Sequence, residues 1–199
     1  MTRIALIDAG GANLGSVRDA LERLGAQVAV VRDGDGLRDA ERVILPGVGA
    51  AEPGMRLLRE RGFVEVLRAS RQPLLGVCLG MQLLFEGSEE GDVECLGLIP
   101  GRIFRLQEAP GVRVPHMGWN TLQTVQDSPL MAGIDDASSV YFVHSYAAPV
   151  TADCIAGCEH GQPFAAIVQR GHVCGAQFHP ERSGTIGARL LSNFLAWSP

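Results

Sequence analysis

Short apolar runs alternate with helical patterns through the first half of this 199-residue chain. Residues 3–8 form an apolar run of strand length, and apolar residues then recur at helical spacing from Leu14 to Leu24, where Gly25 ends the pattern. Further strands are predicted at 27–32, 42–45 and 74–77, and one helix at 55–69. Such alternation predicts an α/β fold with a central, mostly parallel sheet flanked by helices.

The second half has a different pattern, because short strand candidates separated by turns rich in Gly, Pro and Asp follow Gly87. The candidate strands are at 102–106, 121–125, 140–143, 165–169 and 173–178, and a closing helix is predicted at about 184–197. We therefore expect a mixed or partly antiparallel extension of the sheet. With 46% hydrophobic residues and no linker or repeat, residues 1–199 are predicted to form a single domain.

Composition excludes several classes of function. The chain contains no lysine, so a P-loop, a pyridoxal phosphate Schiff base and a lysine nucleophile are all excluded. A net charge of -5 without basic clusters argues against nucleic acid as the main ligand. The start of the chain lacks the features of a signal peptide, and no apolar stretch approaches the ~18 residues of a membrane span. A cytoplasmic protein is expected.

The segment Gly76-Val77-Cys78-Leu79-Gly80 follows a predicted buried strand and opens a helical run at 79–85. It matches a G-x-nucleophile-x-G elbow, in which flanking glycines allow close packing around a strained turn. A thiol at a helix N-terminus is favoured as the thiolate by the helix dipole. Most lone cysteines are buried and inert, but this setting predicts that Cys78 is an activated nucleophile.

A cysteine nucleophile needs a proton carrier, and His179 is the candidate because it follows a predicted strand end. Pro180 is expected to keep the backbone extended, so that Glu181 reaches the same side and orients the imidazole. Alone, His-Pro-Glu is better explained as a turn with a solvated carboxylate. Together with the elbow it predicts a Cys78–His179–Glu181 triad for acyl chemistry.

Acyl chemistry also needs N–H donors for the developing oxyanion, and the amide of Leu79 is one candidate. The second is the Val48 peptide in Pro46-Gly47-Val48-Gly49, because its glycine neighbours leave it free to reorient. An ordinary glycine-rich turn is the alternative for this segment.

The remaining cysteines lack such a setting, and we interpret all five as reduced thiols. The remaining four are Cys95, Cys154, Cys158 and Cys174. A group of nearby Cys and His residues could suggest zinc, but its spacing matches no common zinc pattern, so neither a metal nor a cofactor is expected. The group consists of Cys154, Cys158, His160, His172 and Cys174.

Three motifs, in this order and at these separations, resemble those of the class I, or triad, glutamine amidotransferases, whose fold is flavodoxin-like. They are Pro46-Gly47-Val48-Gly49, Gly76-Val77-Cys78-Leu79-Gly80-Met81-Gln82 and Gln177-Phe178-His179-Pro180-Glu181. More narrowly, three segments resemble the glutaminase subunits of imidazole glycerol phosphate synthase, from histidine biosynthesis. They are Asp8-Ala9-Gly10-Gly11-Ala12-Asn13-Leu14, Val114-Pro115-His116-Met117-Gly118-Trp119-Asn120 and Tyr141-Phe142-Val143-His144-Ser145-Tyr146.

The resemblance implies glutamine hydrolysis through a γ-glutamyl thioester on Cys78, with His179 protonating the departing ammonia and then activating water. It implies a glutamine site formed by Gly49, Gln82, Glu90, His144, Ser145 and Tyr146. It also implies a partner, a (β/α)8-barrel cyclase subunit that uses the ammonia to make imidazole glycerol phosphate and an aminoimidazole carboxamide ribotide.

By the same resemblance, Asn13, Met117, Trp119 and Asn120 are expected to face the cyclase. Residues 117–120 are interpreted as a loop whose large apolar side chains suit an interface hot spot, although a Trp beside Gly is more often a core plug. The family usually has Tyr and Gly where this chain has Ala9 and Ala12, which affects the Asn13 loop but not the triad.

Three alternatives stay open. A glutaminase of another class I system, such as anthranilate, GMP or pyridoxal phosphate synthesis, would share the triad, but the 117–120 motif favours the histidine pathway. A stand-alone cysteine amidase of similar fold would need no partner. A non-catalytic module of this fold is disfavoured by the intact Cys78, His179 and Glu181.

Overall fold

The computed structural model describes residues 1–10 and 14–199. In that part of the chain the first half alternates strands and helices: β1 (Arg3–Ile7), α1 (Leu14–Arg23), β2 (Gln27–Val31), β3 (Arg42–Gly47), α2 (Ala51–Glu60), α3 (Phe63–Ala69), β4 (Leu74–Cys78) and α4 (Leu79–Gln82). The second half is richer in strands: β5 (Phe85–Ser88), β6 (Val93–Glu94), β7 (Ile99–Arg105), β8 (His116–Thr121), β9 (Gln123–Thr124), β10 (Ser139–His144), β11 (Tyr146–Ala147), β12 (Cys154–Glu159), β13 (Pro163–Arg170), β14 (Val173–Ala176) and the closing helix α5 (Gly184–Ala196).

The described strands form one large sheet in the order β2-β1-β3-β4-β14-β13-β12-β9. Its strands from β2 to β14 are parallel, and β13, β12 and β9 each pair antiparallel to their neighbours. The predicted parallel sheet with a mixed extension is therefore confirmed. Because β14 pairs with β4, the residues that follow β14 are brought beside the residue that ends β4.

The large sheet is covered on both faces, which explains why its parallel strands read as continuous apolar runs. One face packs against α1 and α5 through residues such as Leu21, Leu190 and Phe194. The other packs against α2 and α3 through residues such as Met55 and Phe63. None of the helices in the described ranges is long and apolar enough to cross a membrane.

Two smaller sheets complete the described fold and lie near the carboxyl ends of the parallel strands. Strands β10 and β8 pair antiparallel, with Tyr141 opposite Trp119 and His144 opposite His116. A second sheet has the order β11-β7-β5-β6. Since β10 and β11 are separated by Ser145 alone, the segment His144–Tyr146 connects the two small sheets.

Several sequence-based boundaries are wrong, and each has a physical reason. The single helix predicted at 55–69 is two helices, because Gly62 adopts a left-handed φ of +69° and ends the first. The helix predicted at 79–85 stops at Gln82, since Phe85 pairs with Ile99 in a sheet. The strand predicted at 121–125 is divided between β8 and β9.

The segment 117–120, interpreted from sequence as a loop, is also a correction, because it lies within β8. Gly118 and Asn120 have low strand propensity, so nothing local marks the strand. Its pairing with β10, some twenty residues further on, supplies the ladder.

Candidate active site

The elbow at the end of β4 is tightly packed. Cys78 has φ +54° and ψ −114°, a strained conformation for a residue with a side chain, and Leu79 begins α4 directly after it. A Cβ at position 80 would lie 1.8 Å from the carbonyl oxygen of Leu45, and one at position 76 would lie 2.7 Å from the carbonyl of Gly80. Glycine is therefore required on both sides of Cys78.

His179 and Glu181 form a buried pair beside this elbow. Nδ1 of His179 lies 2.9 Å from Oε1 of Glu181, and the two side chains are only 9% and 4% exposed. The reason given from sequence is wrong, since Pro180 begins a 3-10 turn over Pro180–Arg182 and does not hold the backbone extended. The turn itself brings the carboxylate back to the imidazole two residues earlier.

The electrostatic surroundings of His179 favour its charged form. Burial lowers the pKa of the imidazole, but hydrogen bonding and charge from Cys78 and Glu181 outweigh burial and raise the pKa to about 10. Within residues 1–10 and 14–199, Nε2 of His179 has no partner with full hydrogen-bond geometry, and its interaction with Cys78 is a weaker one. At neutral pH His179 carries a proton on the nitrogen that is free to transfer it.

A cavity of about 280 Å³ opens on this corner of the sheet. This is close to the lower end of the range for small-molecule sites. Its lining includes Cys78 and His179, both candidate oxyanion residues and all six candidate glutamine-binding residues: Val48, Leu79, Gly49, Gln82, Glu90, His144, Ser145 and Tyr146. Pro115 and Val143, which sequence reasoning did not single out, complete the lining. Glu181 lies outside it and borders an adjacent cavity of about 150 Å³.

Two of the expected glutamine-binding side chains are hydrogen-bonded within the protein. Nε2 of Gln82 donates to the carbonyl of Tyr146 at 2.7 Å and to Oε1 of Gln177 at 3.0 Å. Oε2 of Glu90 accepts from the amide of Ala51 at 2.8 Å, at the start of α2. Both side chains therefore also tie together the segments that form the cavity walls.

Gln177 is a site residue that sequence reasoning quoted within a motif but gave no role. It is fully buried, and its Nε2 lies 3.9 Å from Sγ of Cys78, within donor range for sulfur. It stands two residues before His179 in the same motif, and both side chains interact with Cys78, so its place beside the predicted base is the signal that could have identified it. The carbonyl of Val143 is also 3.9 Å from Sγ of Cys78.

The residues expected at a partner interface do not all share one surface. Met117 and Trp119 are 64% and 59% exposed on β8. The amide of Asn120 turns the other way, 3.2 Å from Nε2 of His116 and 2.9 Å from the carbonyl of Glu159. Asn13 lies outside the described residues.

The remaining cysteines are buried, unpaired thiols with no catalytic setting. Burial raises the pKa of Cys95 and Cys154 to about 11 and that of Cys158 to about 12, and it raises the pKa of Cys174 further still. These thiols stay protonated at neutral pH. Within the described ranges, no group of three or more His, Cys, Asp or Glu side chains is placed to hold a metal ion.

Comparison with known proteins agrees with this geometry. Residues 5–197 match the family model of class-I glutamine amidotransferases. The chain is 65% identical over 198 residues to the imidazole glycerol phosphate synthase subunit HisH of Xanthomonas euvesicatoria pv. vesicatoria, covering 100% of this chain and 99% of that one. It is 60% identical over 195 residues to the HisH subunit of Xylella fastidiosa, covering 98% of both.

Solved structures share the fold at lower sequence identity. A crystal structure of a glutamine amidotransferase superposes with a TM-score of 0.76 at 21% identity and covers 97% of both chains. The structure of PurLQS from Thermotoga maritima gives a TM-score of 0.75 at 23% identity, covering 98% of this chain and 97% of that one. The family model and the full-length relatives together establish that this chain belongs to the class I glutamine amidotransferases, within the family of HisH subunits of imidazole glycerol phosphate synthase.

Proposed function

We propose that this chain, as a single glutaminase domain, hydrolyses L-glutamine to glutamate and ammonia and supplies the ammonia to a cyclase subunit in histidine biosynthesis. The observation that carries the proposal is that Cys78, on a strained elbow, and His179, paired with the buried Glu181, line one cavity. A nucleophile, a protonated imidazole and an orienting carboxylate are the groups that acyl transfer from an amide requires.

In the proposed reaction, Sγ of Cys78 attacks the side-chain amide carbon of glutamine and forms a tetrahedral oxyanion. Nε2 of His179 gives its proton to the departing nitrogen, so that ammonia leaves and a γ-glutamyl thioester remains. The neutral imidazole then takes a proton from water, which attacks the thioester. Glutamate leaves and the Cys78 thiolate and charged His179 are restored. The carboxylate of Glu181 stabilises the imidazolium at the start and end of the cycle.

The oxyanion donors that we propose are the backbone amides of Leu79 and Val48. Leu79 directly follows the nucleophile at the start of α4, and Val48 lies between β3 and α2 on the cavity wall. Gly49 has a φ of +94°, a conformation that glycine adopts at little cost, so a rotation of the adjacent peptide is inexpensive here. We propose this peptide as the element by which a partner controls the rate.

Glutamine is proposed to occupy the cavity with its side-chain amide toward Cys78 and its amino-acid end toward the opposite wall. The negative charge of Glu90 suits the α-ammonium group of the substrate, and the segment His144–Tyr146 forms the wall beside it. Gly49 and Gln82 complete the proposed binding set.

The partner that we propose is a (β/α)8-barrel cyclase subunit. The relatives are named as subunits of imidazole glycerol phosphate synthase, which supports a partner subunit within such a synthase. The exposed Met117 and Trp119 on β8 offer it two large apolar side chains, the residue types that often dominate interface energetics. We propose Asn13 as a further member of this face, and Asn120, on the opposite row of β8, as a separate contact with the partner. Five unpaired cysteines fit the reducing cytoplasm, the compartment that we propose.

The decisive experiment compares Cys78→Ala with Cys95→Ala, a buried thiol outside the cavity. Glutamate release is measured with and without a HisH-partner cyclase and its nucleotide ligand, and cyclase product is measured with glutamine or with ammonium. Cys78→Ala should lose glutamate release by about 10⁴-fold or more while ammonium still supports product formation. Cys95→Ala should keep both.

Retained glutamate release in the Cys78→Ala protein would reject the nucleophile. Equal rates of glutamate release by the wild-type chain with and without cyclase would reject partner control. The chain would then release ammonia at the same rate whether or not a cyclase is present to use it.

A further inference from the structure

Three histidines pack together between β8 and the cavity, and the proposed chemistry uses none of them for proton transfer. The ring of His116 stacks on His160 at a centroid distance of 4.1 Å and on Phe142 at 4.8 Å. Nδ1 of His116 lies 3.0 Å from Nε2 of His144. His116 is therefore the ring that links β8 to the cavity wall.

The hydrogen-bond partners assign a proton to one nitrogen of each linked ring. Nδ1 of His144 lies 2.9 Å from the carbonyl of Tyr146, which only accepts, so Nδ1 donates and Nε2 of the neutral ring accepts. Nδ1 of His116 must then donate to that Nε2. This leaves Nε2 of His116 as the acceptor for the amide of Asn120 at 3.2 Å. One set of neutral tautomers satisfies both rings.

The chain of hydrogen bonds continues from Tyr146 to the nucleophile. The Tyr146 carbonyl also accepts from Nε2 of Gln82, whose second hydrogen reaches Oε1 of Gln177 at 3.0 Å. Nε2 of Gln177 in turn points to Sγ of Cys78 at 3.9 Å. A donor aimed at this sulfur helps to fix the position of the nucleophile.

The members of the chain are buried, which makes each hydrogen bond costly to lose. His116, His144 and Gln82 are 4%, 6% and 5% exposed, and Gln177 is fully buried. Burial, with the charge of neighbouring histidines, lowers the pKa of His116 to about 4 and that of His144 to about 3. Both rings are then neutral at pH 7, as the tautomer assignment requires.

We propose that His116 is a positioning residue for the glutaminase reaction: its hydrogen bond to His144 holds the His144–Tyr146 wall, and through Gln82 and Gln177 it holds Cys78. This inference deepens the proposed function and rests on it. If His116 served only to fill the core, its shape and stacking would matter, but the hydrogen bonds of its two ring nitrogens would not.

The test separates the hydrogen bonds of His116 from its packing. His116→Phe keeps an aromatic ring for the stack and removes both nitrogens, whereas His116→Gln offers one donor and one acceptor in place of the ring. His160→Phe is the matched control, because His160 belongs to the same stack, but its Nε2 bonds the carbonyl of Arg113 and not a member of the chain of hydrogen bonds. The readouts are KM and kcat for glutamine in the cyclase complex, and the alkylation rate of Cys78 by iodoacetamide in the full chain alone.

His116→Phe should raise KM for glutamine about tenfold, with kcat changed by less than about threefold, and should slow alkylation about threefold. His116→Gln should recover most of both losses, and His160→Phe should match the wild type. Wild-type KM and alkylation in His116→Phe, or equal losses in His116→Gln and His116→Phe, would overturn the proposal.

Two further arms keep the outcome decisive. If His116→Phe does not fold, Asn120→Leu removes the donor at the other end of the chain, and it should slow alkylation of Cys78 in the full chain alone, where no contact with the cyclase is involved; an unchanged alkylation rate would count against the proposal. If the wild-type protein releases no glutamate, the proposed function fails. The order of alkylation rates among the variants still supports or rejects positioning, because that reaction needs neither glutamine nor cyclase.

Discussion

Two buried histidine sites border one cavity and have opposite electrostatics. His179 is 7% exposed, and its surroundings raise its pKa to about 10. His116 and His144 are 4% and 6% exposed, and their pKa values fall to about 4 and about 3. Burial is nearly equal in the two sites and therefore does not decide which ring is charged.

The difference lies in the partners of each ring. His179 has the Glu181 carboxylate at 2.9 Å and the Cys78 sulfur nearby, so a proton on the ring is compensated. His116 and His144 are bonded to each other and to neutral amide groups, and His144 also experiences the charge of His179. The position of one carboxylate, that of Glu181, thus allows a charged His179 to lie close to the neutral rings of His116 and His144.

Removing the Glu181 carboxylate should abolish the electrostatic difference between His179 and the neutral histidines, and it should have the largest effect on activity. Glu181→Gln leaves His179 without a compensating charge, so we expect glutamate release to fall on the order of 10³-fold. Glu65→Gln is the control, since the Glu65 side chain is 85% exposed on α3. Steady-state glutamate release with saturating cyclase is the measurement, and a loss of less than about tenfold would contradict the assigned role.

Acid should act on the neutral pair and give an intermediate effect. The folded-state pKa values of His116 and His144 lie below 6.5, so the unfolded chain binds protons first as the pH falls. Their stabilisation is complete above pH 6.5 and is lost between 6.5 and about 4 for His116 and between 6.5 and about 3 for His144, with a slope of up to about 1.4 kcal/mol per pH unit for each ring. His160 and His179 are the titratable groups that act on them.

Urea unfolding of wild type and His116→Phe at pH 7 and pH 4.5 measures this effect. The variant should lose less stability on acidification, because one of the two titrating rings is gone. Equal losses in the two proteins would contradict the lowered pKa of His116. His179 contributes in the opposite direction, since a raised pKa stabilises the fold below 6.5 and its contribution is lost as the pH rises through about 10.

The last prediction concerns the protonation of the histidine rings in the unmodified protein, and it is tested by spectroscopy. Nitrogen-15 NMR of the imidazole rings at pH 7 should show His179 protonated on both nitrogens and His116 and His144 protonated on Nδ1 alone. A signal from an Nε2–H tautomer in either neutral ring would contradict the chain of hydrogen bonds.

The parallel half of the fold could be predicted because its signals are local. The apolar run before Cys78 and the glycines at 76 and 80 are contiguous in sequence, and both determine the elbow. The strand at 116–121 could not be predicted, because its ladder comes from residues 139–144. Local signals in the sequence predicted Cys78, His179 and Glu181 as the candidate triad, whereas the candidate glutamine-binding residues came from family resemblance.

The residues that sequence reasoning missed are joined by long-range contacts. Gln177 meets Gln82 across 95 positions, and His116 meets His144 across 28. No local sequence pattern around Gln177 or His116 predicts its hydrogen-bond partner. A buried chain of hydrogen bonds joins residues from distant segments, so the residue pattern within any one segment cannot predict it.

Strand β8 has two different faces. Met117 and Trp119 face outward, and His116 and Asn120 face inward. Because side chains on a strand alternate with a period of two, inserting or deleting one residue just before β8 would exchange the two rows. The aromatic side chain would enter the interior and the imidazole would meet solvent. Homologous or engineered chains can therefore vary the length of the connection after β7 only if the change is absorbed before Pro115.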